Sequence, residues 1–212
     1  MYYKKHIFAI KKTFILITLL TSILLSANAS EIKGIIITKK DTLHVSFLIP
    51  FTGINRTTLQ SGVKYIDSLG IKCKLRPEDA KEFQFEYNGE KIRMLSRFDN
   101  LSYNSDGSSK IFLQVVIDGP IKLFNYYMKN SYMSSPGGPG STTMMTSNTY
   151  SKYVLQKGVG DLVLYSQMNF KNEMPIFVKK CPDLVRLIQD KVYGRGDIER
   201  IVNFYNTNCG SN

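Results

Sequence analysis

Four carboxylates, one histidine and three cysteines are the residues whose types and spacing could do chemistry. Glycoside hydrolysis needs only two carboxylates at the right separation. Glu82 and Glu86 share one face of a predicted strand, and Asp118 and Asp161 stand at predicted loop tips. A carboxylate-based hydrolase acting on a glycan is therefore the alternative function. Glu86 is expected to be neutralised by Lys91 across a hairpin. Nucleophilic catalysis assisted by histidine would have to use His44, the only histidine beyond the first 29 residues. It falls on the polar face of a strand without a readable partner and reads as solvated. No GxSxG occurs. Lys157-Gly158-Val159-Gly160 lacks the closing Gly-Lys-Ser/Thr of a phosphate loop and reads as a turn. A metal site needs clustered His, Cys or carboxylates, and these are dispersed. No catalytic, cofactor-binding or metal-ligating residue is expected, and no cofactor.

The cysteines are Cys73, Cys181 and Cys209. None has CxxC spacing, and the odd count leaves at least one unpaired in a monomer. Ile71, Cys73 and Leu75 alternate with Lys72 and Lys74, which predicts a core-facing, reduced Cys73. Cys181 and Cys209 lie at the start of one predicted helix and the end of the next. The short Gly-rich link between those helices implies antiparallel packing, which would bring this pair within bridging reach.

An oxidising compartment would permit that bridge, and the N-terminus reads as an export signal. Lys4, Lys5, Lys11 and Lys12 precede an uncharged apolar run from Thr13 to Leu25, and Ala27-Asn28-Ala29 supplies small residues for cleavage. Residues 1–29 are read as a signal peptide cut after Ala29. The alternative, an uncleaved anchor, would need roughly 20 apolar residues to span a bilayer. No later segment reads as a span. Residues 30–212 number 183 (212 less 29) and are read as one domain. Loss of the leader's four lysines lowers the net charge from +11 to +7. No basic run exceeds two residues, which argues against nucleic acid.

The clearest element is a hairpin from Glu82 to Arg97. Asn88-Gly89 suits a two-residue type I′ turn. That turn sets Phe85 opposite Ile92, Phe83 opposite Met94, Glu86 opposite Lys91 and Gln84 opposite Arg93, with one face apolar. Ile35 to Thr38, Leu43 to Ile49, Val63 to Asp67, Ile71 to Leu75, Ile111 to Ile117, Ile121 to Met128, Tyr150 to Gln156 and Leu162 to Tyr165 read as further strands. Pro120 leaves the register of the Ile111–Met128 pair open. Phe51 to Gly62 reads as a connection, residues 76–81 as one helical turn begun by Pro77, and residues 99–109 as a polar loop. Ser, Gly and Pro dominate the middle of 130–149, which reads as a flexible loop. From Met174 onward the apolar spacing turns helical. The fold class is α+β: an antiparallel β-rich body built from consecutive hairpins, with about three short C-terminal helices packed on it.

Gly34-Ile-Ile-Ile-Thr38 with Asp41-Thr42-Leu43, Pro77-Glu-Asp79 leading to Phe83, and Cys181-Pro182 with Tyr193 and Tyr205-Asn206 carry a resemblance. By these landmarks the chain resembles exported Bacteroidetes proteins of unknown function. The resemblance covers most of the chain after the leader. It implies an envelope or secreted protein with a strand-rich body and a helical end, and no activity, cofactor or catalytic residue. Together with the missing catalytic constellation and thirteen tyrosines, which suit binding surfaces, the reading is a non-enzymatic binding or structural module. Its expected partner is an envelope protein or a glycan.

Overall fold

The computed structural model describes residues 29–101, 109–134 and 144–210. The leader (1–28), the middle of the polar loop (102–108) and the centre of the Ser/Gly/Pro segment (135–143) lie outside the described residues. β1 (Ser30–Ile37), β2 (Thr42–Ile49), β3 (Val63–Ile66), β4 (Lys72–Leu75), β5 (Glu82–Tyr87), β6 (Glu90–Phe98), β7 (Lys110–Ile117), β8 (Ile121–Ser134), β9 (Met144–Lys157) and β10 (Val163–Leu164) form one sheet. Its order is β10-β9-β8-β7-β6-β5-β1-β2-β3-β4, with every pairing antiparallel. The first strand thus lies inside the sheet, between β5 and β2. Helix α1 (Arg56–Ser61) follows β2, and α2 (Phe170–Phe177), α3 (Pro182–Gln189) and α4 (Ile198–Asn208) close the chain. The architecture is α+β, strand-rich first and helical at the end.

The β5–β6 pairing follows the turn chemistry. Asn88 and Gly89 have φ of 51° and 76°, as a type I′ turn requires. Phe85 pairs with Ile92 and Phe83 with Met94. Both pairs point to the face where Phe47, Phe83, Phe85 and Phe112 cluster with Ile36 and Leu59 of α1. Burial of each such side chain stabilises by about 1.5–3 kcal/mol. Further along the same face, Ile121, Leu123 and Leu155 meet the C-terminal helices through Met174, Leu184, Ile201 and Val202. One face of the sheet is therefore roofed by helices at both ends. The opposite face carries a smaller cluster of Leu95, Leu113, Phe124, Val154 and Leu162.

Polar contacts fix the roof. Gln60 of α1 donates to the Tyr127 carbonyl at 2.9 Å and accepts from its amide. Asn206 of α4 does the same for Ile121, at 2.8 and 2.9 Å. Cys181 and Cys209 are joined with their Cα atoms 5.5 Å apart, tying the start of α3 to the end of α4.

Several expectations are corrected. The connection after Pro50 contains α1, whose N-cap Asn55 accepts from the Thr58 amide; this local cap outweighs the Thr-rich composition. Residues 76–81 form a turn, because the Asp79 carboxylate accepts from the Arg76 amide and offers the backbone a substitute for the helical ladder. Cys73 is half-buried rather than core-facing; β4 is an edge strand, and its neighbour Ile71 is 55% exposed. Strands β8 and β9 each run 14 residues, paired from Ile121–Lys157 to Ser134–Met144. Both ends of the 130–149 segment are thus strand, since pairing satisfies its backbone where its side chains have little to bury. Across the Pro120 turn, Val115 pairs with Phe124 and Ile117 with Leu123, and the register shifts between them.

Candidate functional site

Alternation along β6 sends Lys91, Arg93, Leu95 and Arg97 to the face without helices. There the β6–β7 edge, the start of β8 and the 158–162 segment enclose a cleft of about 550 Å³, inside the range of about 300–1,000 Å³ usual for small-molecule sites. Its chemistry comes from Arg97, Lys110, Lys122, Gln156, Asn100 and Phe98. Asn100 holds the wall together, donating to the Leu162 carbonyl at 3.0 Å and accepting from its amide. Gln156 donates to the Gly160 carbonyl at 2.8 Å, which fixes the 158–162 segment over the strand.

Arg97 is the central group. Its Nε donates to Gln156 Oε1 and its Nη1 to the Ser96 carbonyl, both at 2.7 Å. Its guanidinium lies 5.7 Å from the Phe124 ring centroid, a placement that favours a cation. Both hydrogen-bond acceptors are neutral. Five N–H donors belong to a guanidinium, so two bonds leave three donors without a partner among the described residues. Burial pushes the Arg97 pKa down, while Asp118 and Glu82 act on it from a distance in the opposite sense. Arg56 and Arg93, the other half-buried arginines, each hold a carboxylate. At the rim, Phe98 is 61% exposed, and Lys110 Nζ stands 5.1 Å from its ring centroid.

Beside the cleft, the carboxylates singled out from sequence are bound rather than free. Arg93 donates to both oxygens of Glu82 at 2.7 and 2.9 Å and to Asp118 at 2.5 Å. Lys122 completes the row by donating to Asp118. Burial raises the Asp118 pKa, but hydrogen bonds from Lys122 and Arg93 and their charges outweigh it and hold the carboxyl at about 2. Glu82 and Asp118 are thus brought together by a shared guanidinium, which engages both oxygens of Glu82 and one of Asp118. Glu86 stands opposite Lys91 in the register, yet the two form no ion pair. Asp161 lies on the cleft wall.

The other chemistry-bearing residues are scattered. His44 is exposed beside Lys33, Ser46 and Asp67 in a shallow depression. Asp67 is occupied, accepting from the Leu69 and Ile71 amides, so no base is oriented there. Among the described residues no group of three or more His, Cys, Asp or Glu could hold a metal ion. Among them, too, no helix is long and apolar enough to cross a membrane.

On the helical face, Arg56 donates to Gln114 and to Glu90, each at 2.6 Å, while Tyr127 donates to Gln114 at 2.6 Å. This network seats α1 on β7 and β8 and leaves no open cation. The chain matches no family model, no curated protein and no solved structure.

The sequence reading missed Arg97 as a site residue. The clue is its strand parity: position 97 shares a face with Leu95, whose partner Leu113 is apolar and buried. A cation beside that apolar pair is partly buried, and neither strand neighbour, Ser96 or Phe98, is an acid.

Proposed function

We propose that this chain is an exported, non-enzymatic binding module of the cell envelope that holds an anionic ligand in the Arg97 cleft. One observation carries the reading: Arg97 is half-buried in the cleft, is oriented by Gln156 and Ser96, and has no carboxylate partner among the described residues. A desolvated cation held in place costs free energy that an anionic ligand returns through charge-assisted hydrogen bonds. Export with cleavage after Ala29 follows from the leader, and the envelope setting from the resemblance to exported Bacteroidetes proteins of unknown function. The sheet gives the cleft a floor of four neighbouring strands, β6 to β9. The hydrolase alternative draws no support from Glu82 and Asp118, because both are tied to Arg93.

The test is ¹⁵N NMR of the arginine Nε–Hε resonances of the purified protein, titrated with acetate and with phosphate. A saturable shift of the Arg97 resonance, absent in Arg97→Gln, is expected. An Arg97 resonance unmoved by either anion overturns the proposal.

A further inference from the structure

We infer that the ligand of this cleft is an acidic sugar, a pyranose ring bearing a carboxylate. The inference rests on the anion-site reading above and adds the class of the ligand. Three features select it. First, the free donors of Arg97 belong to one planar guanidinium, which matches the two oxygens of a carboxylate in a fork. Phosphate sites more often gather backbone amides at a helix N-terminus or nest, and among the described residues no helix begins at this cleft.

Second, the rim is apolar where the floor is charged. Phe98 is 61% exposed and Val159 fully exposed, and both line the same cavity as Arg97. Exposed apolar groups lining the same cavity as a half-buried cation suit a ligand with a C–H face and an acidic substituent. A bare inorganic anion has no use for the apolar rim. A neutral sugar has no use for the cation.

Third, the cleft offers donors beyond Arg97. Lys110 lies at the Phe98 ring. Lys122 faces the cleft although Asp118 partly neutralises it. Gln156 has spent its oxygen on Arg97 and one N–H on Gly160, which leaves one amide hydrogen for a hydroxyl. Among the described residues Asp161 is the only acid on the cavity wall.

The experiment is isothermal titration calorimetry of the purified protein with trigalacturonate, its neutral counterpart trigalactose, acetate, and a short Asp-rich peptide. Expected is binding of trigalacturonate at least tenfold tighter than of trigalactose and of acetate. Arg97→Gln should weaken it about ten- to a hundredfold, as expected for a charge-assisted pair, and Phe98→Ala severalfold. Thermal melts of both variants establish that they fold, and Arg97→Lys, which keeps charge but not the fork, should rescue only in part. Equal affinity for the acidic and neutral trimers overturns the inference, as does undiminished binding by Arg97→Gln. If trigalacturonate binds no better than acetate, or the acidic peptide binds best, the sugar class falls while the anion site stands. If no anion binds, both readings fall together.

Discussion

Replacing Asp118 by Asn should destabilise the protein mildly at neutral pH, flatten its acid sensitivity and tighten anion binding in the cleft. The substitution keeps the shape and the acceptor that meets the Gly119 amide, and removes the charge that Arg93 and Lys122 share together with the oxygen that accepts from Arg93. The carboxyl of Asp118 is depressed from 3.8 to about 2. A depressed carboxyl contributes stability that is present above its unfolded value, near pH 4, and is lost as the pH falls towards about 2. The full drop would correspond to about 2.5 kcal/mol. The Asp118 side chain is 39% exposed, so solvent screening reduces this to about 1 kcal/mol. Urea unfolding followed at intervals from pH 7 to pH 2 measures it: the wild-type midpoint should fall more steeply than that of D118N between pH 4 and 2. The same change frees Lys122 on the cleft wall and removes a negative field at Arg97. Anion affinity should rise about two- to fivefold at low salt and less at 0.5 M, as expected for charges at this exposure. Parallel acid profiles for the two proteins, or weaker anion binding by D118N, would refute the reasoning.

Other expectations follow from the frame. Gly34 lies in β1 with a Cβ position 2.7 Å from Phe47 and 2.9 Å from Phe85, and against the Gln84 carbonyl; Gly34→Ala should therefore cost about 1–3 kcal/mol or more by overpacking, read as a lower urea midpoint. Loss of the Cys181–Cys209 bridge, separated by 28 residues, should cost about 3–4 kcal/mol, and peptide mapping without reductant should recover the linked pair with Cys73 as the free thiol. Gln60→Ala leaves the Tyr127 amide and carbonyl without their partner and should lower stability by about 2 kcal/mol, with acetate binding at Arg97 unchanged. N-terminal sequencing of exported protein should begin at Ser30.

Legibility in the sequence tracked how local the determining physics is. Asn88-Gly89 specifies a turn, the turn specifies a register, and the register assigns each side chain of β5 and β6 to a face; every link is within 16 residues. The C-terminal helices were equally readable because a 3.6-residue apolar period needs no distant partner. Helix α1 was hidden because it spans six residues, too few for a period, and is held by Gln60 reaching 67 positions away. The strand ends in 130–149 were hidden because their pairing partner, not their composition, makes them strands. Cys73 was misplaced because alternation reports a face and not whether anything covers it. Arg97 was missed for the same reason: its meaning depends on Gln156, Phe124 and Leu162, all brought in from β8, β9 and beyond.

The two faces of the sheet differ in how completely their polar side chains are paired. On the roofed face the polar side chains under the helices are paired. Gln60 and Asn206 each pair with a backbone amide and carbonyl, and Arg56, Gln114, Glu90 and Tyr127 satisfy one another. Removing one member strands the others, so that face resists change. The open face has the same residue types but a different balance. Glu82, Arg93, Asp118 and Lys122 form a closed row across neighbouring strands. Arg97, two residues past buried Leu95 on the same strand face, sits outside this row and receives only two neutral acceptors. If that cation served the fold alone, a neutral residue packed on Phe124 would serve it better, because desolvation of an unpaired guanidinium opposes folding. The placement of that cation in a formed cleft is the ground for the proposed ligand, and the closed row beside it leaves Arg97 as the half-buried arginine without a carboxylate among the described residues.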